Sequence, residues 1–381
     1  SNNCRVAATM ADHISFGSCS APPSGKNWVP TVALRQPSVR PSAATRATFG
    51  PPVPRSMAST QSVTFPTLPD LLCYTLRMDK VAVVALVRRV PGWQDHQIEL
   101  TRLHGGITNT NYVAVVNGVS TVVRVPGERT ELLGIDRANE AEAALRAAEL
   151  GIGPAVLGEL PGIGTLITAL VPGRHLDPTP FTRRLADVVR LLRTFHESGP
   201  LRGAFPIHRV VEWHARDASS YGVVPPVSYG RLHQQSRRIE AAFAAAPLPP
   251  VPCHNDLLPG NVLFEEAGER VWLLDFEYAG MNDRFFDLGN LSVNCGLDTA
   301  GDEELLRLYF GEVSASRLAR LQLMKVMSEF REGMWAVVQQ TISTLHTDFV
   351  TYANERLSNC ERLAARPQFE QWLADAASPA L

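Results

Sequence analysis

Residues 254–280 read HNDLLPGNVLFEEAGERVWLLDFEYAG, and no other stretch constrains the fold as much. His254, Asp256, Asn261, Asp275 and Glu277 stand there among runs apolar enough to be core. Buried charge is costly unless it is paired or holds an ion, so the chain has to build a site around these groups. Val262 to Phe264 and Val271 to Leu274 read as short strands, and the polar EEAGER segment between them reads as a turn. The resulting hairpin leaves Asp275 at the end of its second strand and brings it back beside Asn261. An amide oxygen and a carboxylate converging on one point are hard ligands that suit Mg²⁺, which keeps several waters and bridges phosphates. Asp256, on the loop before the first strand, would lie just outside that metal. From there it can accept a hydroxyl proton or orient the hydroxyl for in-line attack on a γ-phosphate. A lone D-x-x-x-x-N is more often a polar loop with helix-capping Asp and Asn. The full order H-N-D, N, strand, turn, strand, D-F-E exceeds what capping needs.

The flanking text supplies a scaffold. Residues 98–126 carry three apolar runs separated by Gly105-Gly106 and by Asn117-Gly118. Asn-Gly between two β-branched runs is the strongest short hairpin signal, so an antiparallel meander is predicted. RANEAEAALRAAELGIGP is rich in helix formers and stops at Gly151 and Gly153-Pro154. AVLGEL and GTLITALVPG read as two further strands. From Pro178 onward helical spacing dominates, in PFTRRLADVVRLLRTFHESG, DEELLRLYFG, SASRLARLQLMKVMSEFREGMWAVVQQTIS and a last helix near 348–365. The predicted class is α+β in two lobes. Residues 78–172 form a small antiparallel sheet with one helix, and 173–381 a larger, mostly helical lobe that carries the acid-rich hairpin as an insert.

Residues 1–77 differ in composition. They are rich in Ser, Thr, Pro and Ala and contain only Asp12 and Asp70 as acids. A disordered tail, a transit peptide and translated upstream sequence all fit such a segment, and a dispensable tail is the preferred expectation. The chain has 36 Lys+Arg against 38 Asp+Glu, a balance that gives nucleic acid or an anionic membrane no electrostatic hold. No apolar run reaches the roughly 18–20 residues of a membrane span. The six cysteines are scattered, with no C-x-x-C pair, and are read as reduced, in a cytoplasmic setting; organelle targeting by residues 1–77 stays open.

HNDLLPGN followed by LLDFEYAGMNDRFFDLGN resembles the catalytic and metal-binding motifs of the choline/ethanolamine kinase family. That family belongs to the small-molecule kinases of protein-kinase-like fold, which include aminoglycoside phosphotransferases. GGITNTNY is similar to the family's nucleotide loop, and the resemblance spans about residues 98–365. It implies Asp256 as catalytic base, with Asn261 and Asp275 as Mg²⁺ ligands and Glu277 close behind the metal. His254 would brace the catalytic loop, and Asp287 would anchor it through backbone hydrogen bonds. The loop from Gly105 to Asn111 would cover the phosphates of ATP, with Thr108 and Asn109 as side-chain donors. Arg124 would grip phosphate oxygens where many kinases use Lys, paired with Glu140 or, failing that, Glu142. Backbone groups of Ala169 and Val171 would meet adenine.

The implied acceptor is a small amino alcohol, choline or ethanolamine, with choline preferred. A quaternary ammonium needs aromatic faces and nearby negative charge. Trp335 and Tyr352 match pocket aromatics of the family. Glu332 stands where a further aromatic is expected, and SVNCGLD after the DLGN segment supplies none. Helix packing is the competing account of Trp335 and Tyr352. Two rivals remain: an aminoglycoside or thiamine-type kinase of the same fold, and an inactive nucleotide-binding pseudokinase. The short span from Asp275 to Asp287 excludes the activation loop of a protein kinase.

Overall fold

The computed structural model describes residues 80–103, 106–160, 162–175, 182–265 and 270–378. The expectations for residues 1–77 lie outside these. The meander is present as β1 (Ile98–Leu103), β2 (Asn109–Val116) and β3 (Val119–Pro126). Asn117 and Gly118 turn it with φ of 50° and 80°, the paired left-handed values that a two-residue hairpin requires. Strands β4 (Val156–Leu160) and β5 (Thr165–Ala169) complete an antiparallel sheet of order β1-β2-β3-β5-β4. Val83 and Val87 of a helix Lys80–Val87, with Val90, pack on one face of it against Tyr112, Ala114, Val123 and Ile167. That helix was not read from the sequence.

The predicted alanine-rich helix runs Arg137–Glu149. Asp136 caps it by accepting from the amides of Ala138 and Asn139, and Gly151 takes φ 67° just beyond its end. The mostly helical remainder centres on Ala315–Ile342. This helix is buried on nearly every side among the helices Ile207–Ser220, Arg284–Asn294, Phe349–Ala364 and Phe369–Ala376. Because it is enclosed all round, its Arg320, Lys325, Glu329, Arg331 and Glu332 must find partners inside the protein.

The acid-rich hairpin forms as β8 (Val262–Glu265) and β9 (Arg270–Leu273), joined by a short β6 (Arg174–His175). Beside it β7 (Val251–Cys253) pairs with β10 (Gly280–Asn282), two strands too short to register in the hydrophobic pattern. RFFDLGN lies within the helix Arg284–Asn294, which begins at an Asp283 cap. Among the described residues no helix is long and apolar enough to cross a membrane.

Candidate active site

The hairpin register places Val262 opposite Leu273, and the amide of Leu274 donates to the carbonyl of Asn261 at 2.9 Å. Asn261 and Asp275 are thereby held at the same end of β8 and β9. Asp275 adopts φ 62°, a left-handed conformation uncommon for a residue with a side chain, and remains one-third exposed. Asn261 Nδ2 donates to the Asp256 carbonyl at 2.8 Å and to Asp256 Oδ2 at 3.2 Å. The amide oxygen is thus the group Asn261 offers outward. The donor set of Asn261 Oδ1 and Asp275, with Glu277 behind, is all oxygen and fits Mg²⁺.

Cations from the sheet side balance these acids. Arg124, on β3, pairs with both Asp275 and Glu140. Glu142, the alternative partner, pairs instead with Arg202 at 3.3 Å. Asn109 Nδ2 donates to Glu277 at 2.8 Å, and Asn109 Oδ1 accepts from Arg137 at 3.0 Å. Asn109 is thus turned toward the DFE segment. Arg137 also donates to Thr130 at 3.0 Å and to Glu140 at 2.6 Å, and lies 3.4 Å from Glu277. Burial raises the Glu277 carboxyl and the charge of Asp275 adds to this, against the pull of Arg124 and Arg137. Thr108 lies in the turn before β2, its carbonyl accepting from Gly127 at 3.0 Å. Gly105 lies outside the described residues. The Ala169 amide donates to Ala155 at 2.8 Å, so its carbonyl is the group it can offer a base; Val171 lies two residues beyond the end of β5.

The catalytic-loop segment is buttressed from below. Asp287, fully buried, accepts from the amides of His254 at 2.8 Å and Asn255 at 2.7 Å. These two bonds hold the sharp bend in which Asn255 takes φ 64°. His196 reaches Asp287 at 3.0 Å and Tyr309 at 2.6 Å. Cys253, His196 and Asp287 cluster within 4.8 Å. Both His196 nitrogens and both Asp287 oxygens are already bonded, which makes the group a brace. The His254 ring donates from Nε2 to the Leu274 carbonyl at 2.8 Å, and burial keeps it neutral. Asn290 Oδ1 accepts from the Leu257 amide at 2.5 Å, which fixes the residue after Asp256.

On its other side Asp256 meets the long helix. Arg331 Nη1 donates to Asp256 Oδ1 at 3.1 Å and to Glu332 at 2.8 Å. Its guanidinium lies 4.3 Å from the centre of the Tyr278 ring. Tyr352 donates its hydroxyl to Glu332 at 2.8 Å, and Trp335 donates Nε1 to the Tyr278 hydroxyl at 2.9 Å. The ring centres of Trp335 and Tyr352 are 6.4 Å apart, edge to face. Glu332, Trp335 and Tyr352 therefore converge beside Asp256. Burial pushes Asp256 up to about 7, against the pull of Arg331. Burial also raises Glu332, but Arg331, Arg356 and the Tyr352 hydroxyl outweigh it and hold that carboxyl below its usual range.

Arg137, Tyr278 and Arg331 were missed as site residues. Tyr278 belongs to the quoted D-F-E-Y. The Arg331-Glu332 pair inside the apolar helix text MSEFREGMWAVV carried a signal, since charges in a buried helix must face a site or one another.

A model of the phosphotransferase enzyme family matches residues 99–322. Ethanolamine kinase 2 of Mus musculus is 28% identical over 314 residues, covering 73% of this chain and 80% of that protein. A solved structure described as a choline/ethanolamine kinase family protein of Mesorhizobium loti is 32% identical, with a TM-score of 0.65 over 77% of this chain and 98% of that one. The structure of a choline kinase of Streptococcus pneumoniae, 22% identical, shares the fold with a TM-score of 0.63 over 74% and 98%. The two-lobed α+β architecture, the Asn261–Asp275 pair at the end of the β8–β9 hairpin and these likenesses agree: the chain belongs to the phosphotransferase enzyme family and, within it, to the choline/ethanolamine kinases.

Proposed function

We propose that this chain transfers the γ-phosphate of ATP, with Mg²⁺, to the hydroxyl of choline or ethanolamine. The observation that carries the reading is the position of Asp256. Asn261 and Asp275 lie on one side of it, and Glu332, Trp335 and Tyr352 on the other, with Arg331 as the link. A nucleotide phosphate and a small cationic alcohol brought to those two sides would meet at Asp256.

Mg²⁺ held by Asn261 and Asp275 would neutralise phosphate charge. Arg124, anchored by Glu140, supplies a second cation on the sheet side. Arg331 holds one Asp256 oxygen, and the other, which accepts from Asn261 at 3.2 Å, would take the acceptor hydroxyl. The hydroxyl oxygen forms the new bond to phosphorus as the bond to the β-phosphate oxygen breaks. ADP leaves and the proton passes to Asp256. The backbone carbonyl of Ala169 and the amide of Val171 would hold adenine, and Thr108 would face the phosphates. The work is mainly positioning and charge neutralisation. A reduced, cytoplasmic setting is consistent with Cys253, Cys295 and Cys360, which are free and buried.

The test is ATP consumption by the full chain with Mg²⁺ against choline, ethanolamine, thiamine and an aminoglycoside in parallel. Turnover dependent on choline or ethanolamine is expected. Turnover on thiamine or the aminoglycoside alone would move the acceptor assignment, and ATP binding with no turnover on any of the four would leave a binding protein.

A further inference from the structure

The acceptor side of the site contains three aromatic rings, and the chain's own guanidinium groups already cover two of them. Arg331 lies 4.3 Å from the centre of the Tyr278 ring and is 2% exposed. Arg356 lies 5.1 Å from the centre of the Tyr352 ring. Each is fixed by carboxylates: Arg331 by Asp256 and Glu332, and Arg356 by Glu329 at 3.4 Å. Trp335 meets Phe349 and Tyr352 edge to face, with centroids 6.0 and 6.4 Å away. A trimethylammonium has no N–H and binds through aromatic faces, whereas a primary ammonium is a three-way hydrogen-bond donor. Among the described residues each Glu332 oxygen has one hydrogen-bond partner, Arg331 or Tyr352, and a carboxylate oxygen has room for a second.

We propose that Arg331 and Arg356 set acceptor specificity by occupying the Tyr278 and Tyr352 ring faces, so that an ammonium is held by donating N–H bonds to Glu332. This rests on the acceptor assignment above and deepens it: the site selects a primary over a quaternary ammonium. Arg356 is the residue to test, because Arg331 also touches Asp256. In Arg356→Met the Tyr352 face is uncovered. Among the described residues Glu329 then keeps only Asn359, at 3.2 Å, so the double variant Arg356→Met/Glu329→Gln removes both charges together and preserves the balance of the buried pair.

Two readouts are needed on the full chain. The first is kcat/KM for ethanolamine and choline. The second is calorimetric titration with methylammonium and with tetramethylammonium, which requires no turnover. The unaltered protein should favour ethanolamine by at least about tenfold and bind methylammonium but not tetramethylammonium. Both variants should raise the choline-to-ethanolamine ratio about tenfold and gain tetramethylammonium binding. A ratio and a tetramethylammonium affinity that stay as in the unaltered protein in both variants would overturn the proposal. So would an unaltered protein that prefers choline. If the unaltered protein phosphorylates neither alcohol, the acceptor assignment falls. The ammonium titration then decides the specificity proposal by itself, since covered ring faces still predict methylammonium selectivity and its reversal by Arg356→Met.

Discussion

The guanidinium of Arg331 joins Asp256 to Glu332, donating to one at 3.1 Å and to the other at 2.8 Å from the same nitrogen. Burial alone would raise Asp256 further than the value of about 7 it reaches, and Arg331 is the largest influence opposing it. If Asp256 must be ionised to take the hydroxyl proton, kcat/KM falls on the acid side with a midpoint near 7. Arg331→Met removes the opposing cation, so that acid limb should move to higher pH. At pH 7 activity should drop about tenfold or more, with partial recovery at pH 9. A profile that falls uniformly with no displacement would show that Arg331 acts only through packing.

Replacing Asp256 by Asn should separate chemistry from nucleotide binding. We expect kcat to fall by about 10²–10⁴-fold while ATP affinity stays within about twofold. The stability sign is opposite to that of an acid held below its usual range, because here burial outweighs the pairing with Arg331. The folded carboxyl keeps its proton to higher pH than the unfolded one, near 3.9. Its favourable contribution is therefore complete below about pH 4 and lost as pH rises through about 7. Asn does not titrate, so the Tm of Asp256→Asn relative to the unaltered protein should shift in the variant's favour between pH 4 and pH 8.

Asp275→Ala should act on the other substrate. Removing this carboxylate takes away a proposed Mg²⁺ ligand and leaves Arg124 its pairing with Glu140. ATP binding measured with and without Mg²⁺ should lose its metal dependence, while binding in chelator should be equal to or tighter than in the unaltered protein. Retained Mg²⁺-dependent tightening would remove Asp275 from the metal site.

The features legible in sequence were local ones. The Asn117-Gly118 hairpin, the Arg137–Glu149 helix and the return of Asp275 to Asn261 all depend on turn chemistry and strand length within about 20 residues. The helix through RFFDLGN was not read from the sequence, where Gly289 and Asn290 are both weak helix formers. They stand there for close packing and for the bond to Leu257. Arg137 and Arg331 were missed because the partners that put them at the site, Asn109 and Glu277 for the one and Asp256 for the other, are distant in sequence and no periodicity marks them. Glu332 was read in the place of an aromatic and without its sequence neighbour Arg331, which pairs with it.

Gly289 supports a final prediction about stability and positioning. A Cβ at this position would sit 2.8 Å from the Met324 carbonyl carbon and 2.9 Å from the Lys325 nitrogen, both backbone atoms of the Ala315–Ile342 helix. Backbone cannot turn aside as a side chain can, so Gly289→Ala must push two buried helices apart. Overpacking of this kind costs about 1–3 kcal/mol, and the helix preference of Ala over Gly returns about 1 kcal/mol. A net loss of up to about 2 kcal/mol in denaturant unfolding is expected. The displacement also reaches the site, because Asn290 holds the Leu257 amide and donates to Ser328 at 2.9 Å. kcat should therefore fall more than KM rises. Gly230, in the helix Tyr229–Ala245, has nothing within 4 Å of an added Cβ, and Gly230→Ala should leave stability unchanged or slightly higher. Equal effects of the two substitutions would mean that the Gly289 contact does not govern how the two helices pack.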